Sequence, residues 1–292
     1  MNKSEPFRAA LLQIKQGDDI KAQIAIAANQ GAQLVVLPEL HDHPYFCQTK
    51  DPVNFDLAEP IPGPSTAYYS GLAKQHSIVL VASLFEKTAS ERYHNTAVIF
   101  DTDGTLVGRY RKMHIPEGPN YYEKFYFAPG DLGFKPIQTS IGKIGLLVCW
   151  DQWFPEAARL MTLAGAELLI YPTAIGWDPD DDDAEKQRQL DAWTIIQRSH
   201  AVANSLPVIS CNRTGFEKDP SNNTAGIDFW GNSFICGPQG EILASLSAIE
   251  STIAMTDIDL SRTEQVRHVW PYLPDRRIDS YDDLNQCYLD DK

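Results

Sequence analysis

Short apolar runs alternate along this chain with longer stretches in which apolar residues recur every three or four positions. These are the patterns of buried strands and of helices packed on one face. The first half predicts strands over 7–14, 34–37, 78–84 and 95–100, and helices over 18–30 and 66–76. Asp18 or Asp19 caps the start of the first helix, and Gly31 stops it. Asp101-Thr102-Asp103-Gly104 has the composition of a tight turn leading into a strand over 105–111. The second half predicts strands over 144–148, 168–171, 208–211, 232–236, 241–245 and 252–258, and helices over 155–163 and 184–204. A further turn falls at Gly237-Pro238-Gln239-Gly240. Strands alternating with helices predict an α/β fold, and the hairpins argue against a purely parallel sheet. No linker, low-complexity tract or internal repeat divides the chain, so residues 1–292 read as one domain. Residues 261–292, polar and aromatic, read as a C-terminal extension that packs at a subunit interface.

Composition narrows the function. The formal net charge is −14, which argues against nucleic acid or an anionic membrane as the main partner, because both need clustered Lys and Arg. It suits a cationic substrate and, equally, plain solubility. No run approaches the ~20 apolar residues of a membrane span, and the N-terminus has no apolar stretch long enough for a signal peptide. Cys47, Cys149, Cys211, Cys236 and Cys287 are odd in number and widely spaced, without a CxxC pair. They fit a reducing, cytoplasmic setting rather than a disulfide framework or a zinc ribbon. His41, His43 and Cys47 have chelating spacing, but nothing else supplies ligands at a recognisable distance, so no metal is expected. Residues 178–183, DPDDDD, form an acidic loop that lacks the Gly and the terminal Glu of a calcium loop.

Four residues could carry chemistry. Cys149 follows an apolar run and precedes Trp150-Asp151-Gln152-Trp153, the setting of a nucleophile on a strand–turn–helix elbow, with the Trp150 N–H beside it as an oxyanion donor. Read by position alone, a small core hydrophobe is the more common fate of such a cysteine; the polar, aromatic turn after it points toward chemistry. Glu39 ends Val35-Val36-Leu37-Pro38, where α/β sheets place ligands. Partial burial there would make it a base, and exposure would make it an ordinary loop residue. Lys112 is either a fixed cation for a developing oxyanion or one charge in a solvated Arg109-Tyr110-Arg111-Lys112 stretch. Glu123 lies among aromatics, either satisfied by tyrosine hydroxyls or held for function.

Taken together, LVVLPEL around Glu39, YRKMHIP around Lys112 and GLLVCWD around Cys149 occur in an order that resembles the nitrilase superfamily, also called carbon-nitrogen hydrolases. The resemblance extends from about Phe7 to Ile258. It implies a four-layer α-β-β-α sandwich, a Cys-Glu-Lys triad of Cys149, Glu39 and Lys112, a second glutamate at Glu123, no cofactor, and homo-oligomers, dimeric or larger. YYEKFYFAPGD from Tyr121 and CWDQWFPEAARLM from Cys149 are similar to the N-carbamoylputrescine amidase subgroup. That finer likeness implies a small carbamoyl amine as substrate, surrounded by Trp150, Tyr121, Tyr122, Trp153, Thr173, Ala174 and Trp177, with an acid from 178–183 or an aromatic receiving the distal ammonium. The implied mechanism has Glu39 make a Cys149 thiolate at neutral pH. The thiolate attacks the ureido carbon, and Lys112 with the Trp150 N–H holds the oxyanion.

Alternatives remain at this point. A carbamoyl amino acid such as N-carbamoyl-β-alanine needs a cationic clamp, for which Arg188 or Arg213 is the candidate. An aliphatic ω-amide would need none. A catalytically silent binding module on the same scaffold is disfavoured by the intact triad.

Overall fold

The computed structural model describes residues 5–288. The first half contributes β1 (Phe7–Gln13), α1 (Ile20–Asn29), β2 (Leu34–Val36), α2 (Pro64–His76), β3 (Val79–Lys87), β4 (Tyr93–Phe100), β5 (Leu106–Arg111) and the single-turn α3 (Glu123–Tyr126). The second contributes β6 (Ile137–Thr139), β7 (Gly142–Leu146), α4 (Pro155–Leu163), β8 (Leu168–Thr173), β9 (Gly176–Trp177), α5 (Asp183–Asn204) and β10 (Val208–Asn212). There follow β11 (Thr214–Glu217), β12 (Ile227–Trp230), β13 (Phe234–Cys236), β14 (Ile242–Ser245), β15 (Thr252–Ile258) and α6 (Ser261–Val269).

Two six-stranded sheets result, ordered β15-β1-β2-β3-β4-β5 and β14-β13-β10-β8-β7-β6. Each has three parallel strands at its centre and antiparallel strands on both flanks. The alternation of side chains along a strand explains the layers. In β1 to β4, Leu11, Val36, Val81 and Ile99 point into the core shared with Leu146, Ile170 and Ile209 of the other sheet. Their neighbours Leu12, Val35, Leu80 and Val98 pack instead on Ile24 and Ala27 of α1 and Leu72 and Ala73 of α2. On the far side, Ala157 and Met161 of α4 and Trp193 and Ala201 of α5 close the second sheet. An α-β-β-α sandwich is one arrangement that buries strands apolar on both faces.

The helix starts follow their caps. Asp19 accepts from the Ala22 N–H at 2.9 Å, while Asp18 closes the preceding turn through the Lys15 N–H. Both turns form as their composition predicts, with Gly104 N–H donating to the Asp101 carbonyl and Gly240 N–H to that of Gly237. Three features departed from the sequence pattern. The strand expected over 232–236 begins at Phe234, because Asn232 adopts a left-handed φ of +51°. A separate three-stranded sheet, β11-β12-β9, lies in stretches rich in Gly, Asp and Asn that carry no clear alternation. The tail contains α6, whose mostly polar sequence hides its one buried stripe, Thr263 and Val266.

One close approach ties the fold to the chemistry below. Gly130 N–H donates to the Lys112 carbonyl at 2.8 Å. A Cβ on Gly130 would lie 2.1 Å from the Arg111 carbonyl oxygen. Gly130→Ala should therefore cost roughly 1–3 kcal/mol of stability through overpacking, read as a lower urea midpoint by circular dichroism. An unchanged midpoint would mean that the segment yields freely.

Candidate active site

Glu39 follows β2, Lys112 follows β5, Cys149 follows β7 and Thr173 ends β8, so the two sheets converge on one site from their strand ends. Glu39 is presented by a turn held from both sides. Its N–H donates to the Thr173 carbonyl at 3.3 Å. Its carbonyl accepts from Arg213 Nε at 3.1 Å, and Arg213 also donates to the carbonyls of Leu40 and His43. Leu40 is left-handed, with φ +46°, a conformation that surrounding structure must impose on such a residue.

The Glu39 side chain is fully buried. Its Oε1 accepts from Asn95 Nδ2 at 2.6 Å and from Lys112 Nζ at 2.8 Å, while Oε2 is shut from solvent with no partner. Lys112 Nζ also donates to Glu123 Oε2 at 2.7 Å, and Glu123 Oε1 accepts from the Tyr45 hydroxyl at 2.7 Å. Burial works to lower the Lys112 ammonium, but Glu123 and Glu39 reverse this and hold it well above the usual amine range. Burial pushes the Glu123 carboxyl up, with Lys112 opposing and Glu39 adding to the rise.

Cys149 stands at φ +41° and opens a single 3-10 turn, Cys149–Trp153, that leads through Phe154 into α4. Its Sγ lies 3.8 Å from the Ala174 carbonyl oxygen. Burial raises its pKa well above the usual thiol range, Glu39 raises it further, and Lys112 opposes both. A standing thiolate at neutral pH is thus disfavoured, and the resting group is the thiol.

A cavity of about 380 Å³ opens over Cys149, walled by Tyr121, Trp150, Trp153, Trp230 and Ile175. Its polar lining includes Gln189, whose Nε2 donates to Asp181 Oδ2 at 2.9 Å and Glu185 Oε1 at 3.2 Å. The structure brings Tyr121, Trp150 and Trp153 to this cavity and gives the other expected contacts different places. Tyr122 faces a separate surface recess, with Lys50 Nζ 4.7 Å over its ring. Thr173 supports Glu39 from behind, and Ala174 offers its carbonyl to Cys149. Trp177 donates to the Lys186 carbonyl and packs 5.6 Å from Trp230, backing the wall rather than forming it.

The acidic loop is partly consumed by structure. Asp182 caps α5 by accepting from the Glu185 N–H, and Asp178 accepts from the Asp180 N–H. The two candidate clamps also have other roles: Arg188 pairs with Glu185 at the surface, and Arg213 pairs with Glu217 beneath the Glu39 turn. His41 has both ring nitrogens engaged, by Pro38 and Tyr69. Sequence reasoning missed Asn95, Tyr45, Gln189 and Trp230. For Asn95 a signal existed, since an amide beginning the apolar run Ala97–Phe100 calls for a specific partner.

Comparisons with known proteins identify the family and the fold. The carbon-nitrogen hydrolase family profile matches residues 8–268. An N-carbamoylputrescine amidase of Solanum lycopersicum is 42% identical over 288 residues, covering 96% of this chain and 95% of that protein. A citrullinase of Francisella tularensis is 39% identical, covering 97% of this chain and 99% of that one. The crystal structure of a carbon-nitrogen hydrolase from Helicobacter pylori G27 superposes with a TM-score of 0.92 at 52% identity, covering 98% of this chain and all of that one. With sequence likeness along nearly its whole length and the same fold, this chain belongs to the carbon-nitrogen hydrolase family of the nitrilase superfamily.

Proposed function

We propose that the protein hydrolyses the ureido C–N bond of N-carbamoylputrescine, releasing ammonia, CO2 and putrescine, with Cys149 as nucleophile, Glu39 as general base, Lys112 as oxyanion partner and Glu123 holding Lys112. The observation that carries this reading is the division of labour on the Glu39 carboxylate. Oε1 is saturated by Asn95 and Lys112, and Oε2 is buried and free to take a proton. A ureido carbonyl is a weak electrophile, so attack needs both a nucleophile and immediate neutralisation of the oxyanion. As Cys149 Sγ attacks the carbon, its proton passes to Glu39. Lys112 uses two of its three hydrogens on the carboxylates, which leaves the third for the oxyanion. Glu39 then returns the proton to the departing nitrogen, and ammonia leaves an N-alkylcarbamoyl thioester. Water, deprotonated by Glu39, attacks that thioester, and the released carbamate decomposes to the amine and CO2. The reaction as written uses side chains alone.

Two observations support the cationic substrate. Apart from Lys112, which Glu39 and Glu123 hold beneath it, no Arg or Lys among the described residues is at the cavity. Gln189 links its wall to the Asp181 and Glu185 carboxylates, which suit a distal ammonium. The citrullinase relative gives citrulline, with its added carboxylate, as the competing substrate. We further propose that residues 1–292 form one domain that self-associates. Leu160 and Leu163 of α4 and Ile195 and Val202 of α5 leave apolar side chains on the outer helical layer, and the 261–292 extension carries exposed Val269, Trp270 and Ile278. Residues 289–292 of that extension lie outside the described residues. Free thiols at all five cysteines suit a reducing compartment such as the cytoplasm, and no described helix is long and apolar enough to cross a membrane.

Ammonia release should be measured with N-carbamoylputrescine, citrulline, N-carbamoyl-β-alanine and a neutral carbamoyl alkane. Release from the diamine derivative, abolished by Cys149→Ser, is expected. Asp181→Asn should raise KM for that substrate alone, and preference for citrulline or the β-alanine derivative would overturn the substrate assignment. Alkylation of Cys149 by iodoacetamide should accelerate from pH 7 to 10. Because the Glu39 charge raises the thiol, Glu39→Gln should move that profile to lower pH while abolishing turnover. A profile unmoved or moved upward would remove Glu39 from the neighbourhood of the thiol. Light scattering should find a dimer or larger assembly, weakened by Ile195→Asp; a monomeric wild type would refute the interface.

A further inference from the structure

Lys112 and Cys149 belong to different sheets, and their separation is not set by any hydrogen-bonded ladder. Lys112 follows β5, an edge strand of the first sheet, whereas Cys149 follows β7 of the second. A single buried carboxylate joins the two segments. Asp151 Oδ2 accepts from the Val148 N–H at 2.9 Å, next to Cys149, and from the Tyr110 hydroxyl at 2.9 Å, on β5. Asp151 Oδ1 accepts from the His114 N–H at 3.0 Å and from His114 Nδ1 at 2.7 Å, two residues beyond Lys112. Since a carboxylate only accepts, Nδ1 is the protonated nitrogen of that ring. The His114 ring lies flat on Phe154, with centroids 3.7 Å apart and planes 6° from parallel, so the same loop also rests on the entrance to α4.

We propose that Asp151, with His114, is a positioning residue that sets the Lys112 ammonium relative to the Cys149 sulfur. This rests on the catalytic roles given above. Asp151 is buried with no exposed surface, and all four contacts of its carboxylate come from the two segments that present Lys112 and Cys149. Asparagine has nearly the same shape but turns one acceptor into a donor. Whichever way its amide faces, one backbone N–H, of Val148 or of His114, loses its partner. The Tyr110 hydroxyl can rotate to accept, but a backbone N–H cannot. Either loss loosens one wall of the oxyanion site against the other. A misplacement on the order of 1 Å at such a site costs about 10²-fold in rate. The cavity walls Trp153, Trp230 and Tyr121 are not held by this carboxylate, so substrate binding should be spared.

The test compares Asp151→Asn, His114→Phe and Tyr110→Phe with wild type on the ureido substrate that the wild type cleaves best. His114→Phe keeps a ring on Phe154 and removes only the Nδ1 donor, and the His114 side chain is partly exposed, so it should fold if Asp151→Asn does not. Asp151→Asn should lower kcat about 10- to 100-fold with KM within about threefold, a transition-state loss without a binding loss. His114→Phe should show a smaller loss of the same kind. Tyr110→Phe, which leaves both backbone donors paired, should show the least. The thermal midpoint and folded fraction are read in parallel. Activity lost only in proportion to the unfolded fraction, or kcat within twofold of wild type in both Asp151→Asn and His114→Phe, would overturn the positioning role. A wild type that cleaves no ureido substrate would instead overturn the proposed function, which keeps the two failures distinct.

Discussion

An ammonium held between two carboxylates, in a space closed to water, is the interaction on which this structure turns. Lys112 Nζ lies 2.8 Å from Glu39 and 2.7 Å from Glu123, and these two carboxylates hold its ammonium against the cost of burial. Taking such groups out of water is expensive, and removing one member of a buried pair typically costs about 3–5 kcal/mol. A core built only for stability would fill this volume with apolar side chains. The price is met by a fold rigid enough to keep every donor aimed: Asn95 on Glu39, Tyr45 on Glu123, Arg213 on the Glu39 turn.

The sandwich explains how residues so far apart in sequence come to share that space. Two sheets with parallel centres point their strand ends to the same side, and the loops leaving those ends bring the acid, the cation and the thiol together. The left-handed backbone of Leu40 and Cys149 lies where those loops bend most sharply. Unfavourable conformations at two of these bends are what a site looks like when geometry at the chemistry outranks local comfort. The raised Cys149 thiol belongs to the same balance. Burial and the Glu39 charge raise the Cys149 thiol, so in the mechanism we propose its deprotonation accompanies attack on the substrate rather than preceding it.

The cavity and the acidic loop show how a charged sequence feature is divided among roles. One aspartate of the loop caps a helix, another braces a turn, and Asp181 reaches Gln189 at the wall of the pocket. Arg213, a plausible carboxylate clamp by composition, is spent on three backbone carbonyls and Glu217. In the proposed function, selectivity for a cationic over an anionic substrate would rest as much on where the arginines are tied up as on where the acids lie.

Much of this was legible in the sequence. Apolar runs unbroken on both faces call for a sandwiched sheet, and Asp19, Gly31 and the Asp101–Gly104 turn set local boundaries that the tertiary structure left in place, because caps and tight turns are decided within a few residues. Read singly, Glu39, Lys112 and Cys149 each have an ordinary structural reading; they stand out because LVVLPEL, YRKMHIP and GLLVCWD occur together in the order of the nitrilase superfamily. The sequence could not tell which neighbours complete the site. Asn95 lies 56 positions from Glu39 and Tyr45 lies 78 from Glu123, and Trp230 meets Trp177 and Trp193; these partners come together only in the folded chain. The same limit placed Tyr121 in the cavity and Tyr122 outside it: adjacent residues point in different directions, and only packing decides which one enters the cavity. The raised pKa of the Cys149 thiol also belongs to the tertiary structure, since it depends on burial and on charges of Glu39 and Lys112 brought to it from the other sheet. Local pattern determines elements and candidate chemistry. Long-range packing determines partners, exposure and charge.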